Sequence, residues 1–421
     1  MELNEPSAKY LVKVGFKQSE VGWIPSDWTP THIGEIASVS AGGTPSRKLL
    51  EYWNGDIPWV TTTELNHNRV VETEQYITRM GLENSSAKLV APGAVLIALY
   101  GQGKTRGKVS LLGIKAATNQ ACAAIVVFPS TSNRFVLHSL HSQYRSIRSL
   151  SNAGSQDNLS SGIVKGIQIP LPPTRAEQED IADALTDADT LIESLEQLLT
   201  KKRQIKQGAM QELLAAQRRL PGFSGDWKPA KLKDLADIRS GGTPSTQKDE
   251  FWDGDILWCT PTDITALNGS KYLADTHRKI TAMGMKACSA DLIPANSIVM
   301  TSRATIGECA INLAPLCTNQ GFKNFVPFPH VDVQFLYYML TTQKAGFISL
   351  CGGSTFLEIG KTQLRPYEVS MPPTKDEQTA IATILSDMDT EITALEARLT
   401  KARQLKQGMA QALLTGRIRL V

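Results

Sequence analysis

The sequence has few of the residues that disulfide-bonded, zinc-binding or membrane proteins need. It contains six cysteines and no Cys-x-x-Cys pair, so neither a disulfide framework nor a zinc site is predicted. The longest apolar run, Ala121–Phe128, is far shorter than the roughly 20 residues of a membrane span. No apolar stretch follows a basic start at the N-terminus, so we expect no secretory signal and a cytoplasmic protein.

Motifs for catalysis are also missing. Both Pro-Pro pairs precede threonine, unlike the Pro-Pro-aromatic motif of amino-methyltransferases, and no Pro-Asp dipeptide suggests a nuclease carboxylate. Asn66-His67-Asn68 resembles part of an HNH nuclease, but it is isolated, and a solvated loop is the alternative. His138 and His141 lie close together without cysteine or carboxylate beside them, so no metal cluster is predicted. We therefore expect a chain without catalytic residues, metal or cofactor.

The composition is that of a globular protein with several domains. Of 421 residues, 42% are hydrophobic and 20% are charged, and this length predicts about two to three domains. The net charge of +3 is modest, but it becomes +7 once spans 175–206 (−3) and 375–406 (−1) are set aside. Binding to nucleic acid would therefore depend on local basic patches.

The chain consists of two copies of one unit. Gly-Gly-Thr-Pro-Ser occurs at 42–46 and 241–245, and Glu-aromatic-Trp-x-Gly-Asp-Ile-x-Trp at 51–59 and 250–258. Thr-Asn-Gln and Pro-Pro-Thr recur at an offset of 200. A period this long indicates a duplicated domain rather than a solenoid repeat. The copies diverge at 61–90 and 260–293, which suggests two similar tasks on different targets.

A long helix is predicted after each Pro-Pro pair. Thr174 and Glu177, like Thr374 and Glu377, form the spacing of a capping box. Apolar residues then alternate at intervals of four and three, which is typical of a coiled-coil seam. Helices of about 40 residues would be roughly 60 Å long. Packing of each helix on its own domain is the alternative.

Charge favours antiparallel pairing of these helices. Both begin with an acidic half and continue into a basic one, so parallel pairing would place like charges together. We predict an α+β protein with two similar mixed α/β domains, joined by two long antiparallel coiled-coil helices and related by a pseudo-twofold axis. The predicted boundaries are 1–173 and 216–373 for the domains, and 174–215 and 374–421 for the helices, the second with its tail.

Several polar loops are candidate DNA contacts. The Gly-Gly-Thr-Pro-Ser loops could grip a DNA backbone or be structural turns, whereas Trp53, Trp59, Trp252 and Trp258 are expected in the core. Residues 98–105 fall one glycine short of a P-loop and precede a predicted strand, so this loop is a candidate for phosphate contact or a solvated hairpin tip. The candidates in the first copy are Thr44, Ser46, Arg47, Lys48, Thr62, Thr63, Glu64, Gln102, Lys104, Arg106, Lys108 and Ser155. Those in the second are Thr243, Ser245, Gln247, Lys248, Thr262, Asp263, Ser302, Arg303 and Ser354.

These repeated motifs, together with Pro-Pro-Thr-x-x-Glu-Gln and the Lys-Gln-Gly helix segments, strongly resemble the specificity subunits of type I DNA restriction–modification systems. The resemblance covers nearly the whole chain. It implies two target recognition domains that each recognise half of a split double-stranded DNA site. It also implies spacer helices that dock two modification subunits, which hold S-adenosylmethionine and methylate adenine, with separate motor–nuclease restriction subunits. Two alternatives stay open: a stand-alone DNA-binding or decoy protein, and a fused restriction enzyme with its own catalysis.

Overall fold

A computed structural model describes residues 15–66, 68–101, 104–150, 158–351 and 357–420. The chain divides into two compact units. Unit 1 comprises the residues up to 196 together with those from 397 onward, and unit 2 comprises 197–396. Each unit therefore contains one globular domain, the first part of one long helix and the last part of the other.

The domain of unit 1 is built on short strands. Its strands are β1 (Phe16–Ser19), β2 (Gly22–Pro25), β3 (Thr29–His32), β4 (Ala37–Ala41), β5 (Trp53–Val60), β6 (Arg69–Val70), β7 (Gln75–Ile77), β8 (Leu89–Val90), β9 (Val95–Ala98), β10 (Val109–Leu112), β11 (Ala116–Thr118), β12 (Cys122–Val127) and β13 (Gln168–Leu171). Its helices are α1 (Ile33–Ile36), α2 (Arg79–Glu83), α3 (Asn133–Ser142), α4 (Tyr144–Ser149), α5 (Ser161–Lys165) and the long α6 (Arg175–Leu214), which continues into unit 2.

A five-stranded sheet in the order β4-β12-β9-β10-β6 carries the core of unit 1. Side chains of β9 alternate between two apolar clusters: Val95 and Ile97 belong to one, Leu96 and Ala98 to the other. Because successive residues of a strand point to opposite faces, this fully apolar strand is buried on both sides. A second sheet has the strand order β7-β5-β11-β8.

Unit 2 repeats this connectivity. Its strands are β14 (Lys228–Lys231), β15 (Ala236–Ser240), β16 (Trp252–Cys259), β17 (Tyr272–Leu273), β18 (Arg278–Ile280), β19 (Ile298–Thr301), β20 (Cys309–Asn312), β21 (Leu316–Thr318), β22 (Phe322–Pro327) and β23 (Glu368–Met371). Its helices are α7 (Leu232–Leu235), α8 (Pro261–Ala266), α9 (Ala282–Lys286), α10 (Val333–Thr342), α11 (Lys344–Ser349), α12 (Lys361–Leu364) and α13 (Lys375–Leu413), which continues into unit 1. The order β15-β22-β19-β20-β17 matches the central sheet of unit 1, whereas the described residues of that unit contain no counterpart of helix α8.

A bulge explains the repeated Trp-x-Gly-Asp-Ile-x-Trp segment. In β5 both Trp53 and Ile57 pair with Ile77, so the intervening residues leave the ladder. Asn54 takes a left-handed φ of 60° there, a conformation that asparagine tolerates better than most residues. Six residues of regular strand would separate the indoles of Trp53 and Trp59 by roughly 20 Å, but the bulge brings their centroids to 5.0 Å.

The antiparallel pairing of the long helices is confirmed inside each unit. In unit 1, Arg403 Nη2 donates to Glu196 Oε1 at 2.5 Å, and Lys406 pairs with the earlier residue Asp189. In unit 2, Arg203 donates to Glu396 at 2.6 Å in the same way. Residue numbers rise along one helix as they fall along the other, and acidic halves meet basic halves as their charges predicted.

The alternative of packing on the domain also holds for the first turns. Ile181 and Leu185 are completely buried in the same apolar cluster as domain residues of unit 1. The seam residue Leu199, further along α6, is also buried, at 7% exposure. The helices thus use their first turns as part of a domain and later positions as a coiled-coil seam.

The predicted capping box is only half formed. Thr174 Oγ1 accepts from the Glu177 amide at 3.2 Å, as expected. The Glu177 carboxylate, however, accepts from Arg419 Nε and Nη2 at 2.6 Å each. In unit 2, Arg219 donates to Glu377 at 2.7 and 2.9 Å. A bidentate arginine therefore takes the place of the backbone amide in both copies and fixes the segment that follows each long helix.

Candidate nucleic-acid interface

The Gly-Gly-Thr-Pro-Ser loops hold the tryptophan pairs in place. In unit 1, Trp59 Nε1 donates to the Gly43 carbonyl at 2.9 Å and Trp53 Nε1 to the Ser46 carbonyl at 3.1 Å. In unit 2 the equivalent distances are both 3.0 Å. Thr44 and Thr243 each donate to the glutamine of a Thr-Asn-Gln segment. The loops therefore have a structural role, and their contact with DNA stays a prediction.

The paired glycines are required because a side chain would not fit there, not because the backbone adopts a left-handed conformation. Neither Gly42 nor Gly43 has a positive φ, contrary to the usual reason for glycine in a turn. A Cβ on Gly42 would lie 2.0 Å from the Thr118 carbonyl oxygen. The corresponding atom on Gly241 would lie 2.1 Å from the Asn319 carbonyl oxygen. Close backbone approach thus joins two repeated motifs that are far apart in the chain.

An acidic residue organises the start of each divergent insert. Glu64 accepts from the Thr61 amide at 2.9 Å and from the Thr63 hydroxyl at 3.0 Å. Burial would raise the pKa of Glu64, but hydrogen bonds led by that from the Thr61 hydroxyl outweigh it and keep the pKa below its ordinary value. Asp263 accepts from the Thr260 and His277 amides at 2.7 and 2.8 Å. Both carboxylates therefore fix the start of the insert, which is a turn in unit 1 and the first turn of α8 in unit 2.

The glycine-rich loop of unit 1 combines exposed and anchored cations. Lys104 is exposed, and its carbonyl accepts from Tyr144 Oη at 2.5 Å. Arg106 donates to the Arg148 carbonyl at 3.1 Å, and Lys108 bonds with Asn66. A cavity of about 680 Å³ lies beside this loop. Its lining includes Lys104, Lys108, Arg145, Gln407 and Gln411. A cavity lined by cations and amides suits an anionic polymer.

The corresponding loop of unit 2 differs in character. Ser302 is fully buried and accepts from Lys323 Nζ at 3.3 Å, so its hydroxyl supports the loop from inside. Arg303 is exposed and pairs with Glu358 at 2.9 Å. The loop turns at Ala304, which has a left-handed φ of 56°. Only Arg303 of the two candidates lies at the surface.

The other predicted residues that the structure describes lie in or directly after the Gly-Gly-Thr-Pro-Ser loops and at the start of each insert, where Thr262 belongs to α8. Ser46, Arg47 and Lys48 are exposed after the unit 1 loop, and Ser245, Gln247 and Lys248 after that of unit 2. Thr62 is half-buried, whereas Thr63 and Thr262 are exposed. Gln102, Ser155 and Ser354 lie outside the described residues.

A buried lysine in the second insert gave no signal in the sequence. Lys271 is 7% exposed and donates to Gln334, Tyr338 and Ser386 at 3.0, 2.9 and 2.7 Å. Burial lowers its pKa, opposed by the nearby Asp389 carboxylate. This cluster fastens the insert to α10 and α13. A single lysine in a polar stretch is otherwise expected in solvent.

Within the described ranges, no three histidine, cysteine, aspartate or glutamate side chains are grouped closely enough to hold a metal ion. None of the described helices combines the length and apolarity needed to cross a membrane.

Two like domains, each with its own insert and each joined to paired antiparallel helices, form a duplicated architecture in which one frame carries two different inserts. The family model for the type I restriction modification DNA specificity domain matches residues 25–207 and 224–405. The chain belongs to this family, the specificity subunits of type I restriction–modification systems, whose role is DNA recognition rather than catalysis.

Three relatives support this assignment, and they align with different shares of the chain. The type I restriction enzyme MjaIX specificity subunit of Methanocaldococcus jannaschii is 40% identical over 39% of this chain and 38% of the relative. The EcoR124I/EcoR124II specificity subunit of Escherichia coli is 28% identical over 46% of this chain and 47% of the relative. These two matches thus span less than half of each relative. A putative MjaX specificity subunit from M. jannaschii matches over 98% of both chains at 23% identity.

A solved structure shares the whole fold. The S subunit of a type I restriction–modification system from M. genitalium has a TM-score of 0.61 at 14% identity, covering 92% of this chain and 96% of that one. This likeness supports the fold of both domains with their long helices.

Proposed function

We propose that each unit recognises one half of a bipartite double-stranded DNA target. The observation that carries this proposal is a comparison of the two units with each other. They share the Gly-Gly-Thr-Pro-Ser loops, the tryptophan pairs and the bidentate Arg–Glu pairs, but they differ at 61–90 and 260–293. Sequence-specific contacts depend on side chains that reach base edges. Different inserts on the same frame would therefore give two different half-sites.

The long helices would set the distance between the half-sites and dock two modification subunits. Helices of 40 and 39 residues correspond to about 60 Å of rigid rod each. S-adenosylmethionine would be bound by the modification subunits, and motor–nuclease restriction subunits would complete the complex. We place this assembly in the cytoplasm with its DNA. A protein of the same family is described in work on complex assembly and conformational transition of a type I system.

Methylome sequencing tests this function directly. Cells would express the chain with its modification subunit, and a control culture would express the modification subunit alone. We expect methylated adenines in a split motif only when the chain is present. Exchanging 61–90 for the corresponding segment of a related protein should change one half of the motif and leave the other half intact. A change in both halves, or methylation without the chain, would contradict the proposal.

Co-purification separates this function from that of a stand-alone DNA-binding protein. A tagged chain should retain the modification subunit through size-exclusion chromatography. Recovery of the chain alone, bound to DNA, would favour the stand-alone alternative. Methyl transfer by the chain alone would favour a fused enzyme.

A further inference from the structure

An arginine lies over the tryptophan pair in each unit. In unit 1, Arg47 Cζ is 4.3 Å from the Trp53 ring centroid and 5.4 Å from that of Trp59. In unit 2, Arg278 Cζ is 3.6 Å from Trp252 and 5.6 Å from Trp258. The indole pairs themselves have the same geometry, with centroids 5.0 Å apart in both units. Each guanidinium thus lies closer to the first tryptophan of its pair than to the second.

The two arginines come from different parts of their units: Arg47 from the shared frame and Arg278 from the divergent segment 260–293. Arg47 directly follows the Gly-Gly-Thr-Pro-Ser loop, where the offset of 199 places Thr246 in unit 2. Arg278 lies opposite Trp258 in β18, and the residue opposite Trp59 in unit 1 is Gln75. Alignment of the two copies therefore pairs neither arginine with the other. Both units therefore place a guanidinium against the first tryptophan of the pair, although different residues supply it.

Both guanidiniums are available to a ligand. Arg47 and Arg278 are exposed, and across the part of the chain that the structure describes neither has an ion pair with a carboxylate. Stacking fixes the plane of a guanidinium on an aromatic face and leaves the N–H groups at its edge free to donate. Such a planar fork matches phosphate oxygens.

The ligand must be common to both half-sites. The two half-sites would differ in base sequence, whereas both units present a guanidinium on a tryptophan pair, so we assign these two groups to a feature that both half-sites share. The phosphate backbone is the part of a duplex that does not vary.

We infer that Arg47 and Arg278 are equivalent phosphate-contacting residues, each held by its tryptophan pair against the backbone of one half-site. This inference rests on the proposed DNA-binding function and adds Arg278 to the candidate interface.

A rescue experiment in the complex with modification subunits tests the inference. Binding would be measured by fluorescence anisotropy over a range of KCl concentrations, with a duplex that contains the split motif identified by methylome sequencing. R47A should weaken binding about tenfold and reduce the slope of log K against log[salt] by about 0.9, the value for one phosphate contact. R47A/Q75R should restore both quantities, because it places arginine where unit 2 has it. R278Q and T246R/R278Q form the reciprocal pair in unit 2.

A matched control removes the same charge elsewhere. Arg79 is also exposed in unit 1 but pairs with Glu83 at 2.9 Å, so R79A should leave the salt slope unchanged. If R47A kept the wild-type affinity and the wild-type salt slope, the inference would be overturned. A lower melting temperature in that case would show that Arg47 only stabilises the fold by stacking on the tryptophans. An unchanged slope with relaxed base preference would also overturn it, in favour of a base contact. Failure of the wild-type complex to bind any duplex would instead refute the proposed function.

Discussion

The ion pair between Arg219 and Glu377 should make a large, local contribution to the stability of unit 2. The Glu377 side chain is 1% exposed and that of Arg219 is 27% exposed. The carboxylate accepts from Arg219 at 2.7 and 2.9 Å and from Trp227 Nε1 at 3.2 Å. Removing the arginine leaves a buried carboxylate that keeps one weak donor. Loss of one partner of a buried pair costs about 3–5 kcal/mol, and the partial exposure of Arg219 places R219A near 3 kcal/mol.

The neighbouring arginine is the matched control. Arg218 lies 3.6 Å from Glu212 and its side chain is 74% exposed, so R218A should change stability by less than about 1 kcal/mol. For a unit of this size, about 3 kcal/mol corresponds to a fall of roughly 6–12 °C in melting temperature. Differential scanning calorimetry should show this fall for R219A in the transition of unit 2. Equal transitions for R219A and R218A would refute the argument from burial.

Three further predictions concern unit 1. Burial lowers the pKa of His138 from 6.5 to about 4, opposed by Asp189, so the folded unit holds the neutral ring and loses up to about 3 kcal/mol as the pH falls from 6.5 toward 4. In H138Y the free energy of unfolding, measured by urea denaturation, should depend less on pH over that range. A pH dependence equal to that of the wild type would contradict this. In the double variant E196C/R403C, a short bis-maleimide should crosslink the two introduced cysteines, which peptide mapping would detect. No crosslink is expected in E196C/R419C. The reverse result would exclude the observed register of the two helices. Gly42→Ala should lower the free energy of unfolding by about 3 kcal/mol or more, because the added Cβ would overlap a carbonyl oxygen 2.0 Å away. A decrease of less than about 1 kcal/mol, measured by urea denaturation, would contradict this.

The features that the sequence predicted well depend on periodic or repeated patterns. Alternating apolar spacing predicted the helices that the structure places at Arg175–Leu214 and Lys375–Leu413, and their charge halves predicted the pairing direction. The duplication predicted two like domains. Trp59, Trp252 and Trp258 are buried as expected, whereas Trp53 is only partly buried against the core. The predicted domain boundaries stay a prediction.

Contacts between distant residues were not accessible from these patterns. Arg419 and Glu177 are 242 positions apart, and a carboxylate three residues after threonine gives the same spacing whether it caps a helix or binds arginine. Ser302 was selected for its loop although the fold buries it. Arg278 lies outside every repeated motif, so only the three-dimensional position of its guanidinium relates it to Arg47.

The central claim is that two recognition units act at a distance set by the helices. Deleting one heptad from each helix, residues 197–203 and 396–402, preserves the seven-residue seam and shortens the helices by about 10.5 Å. Methylome sequencing of cells that express this variant with its modification subunit should show both half-sites unchanged and the gap shorter by roughly three base pairs at 3.4 Å each. Methylation at the original gap would contradict the account.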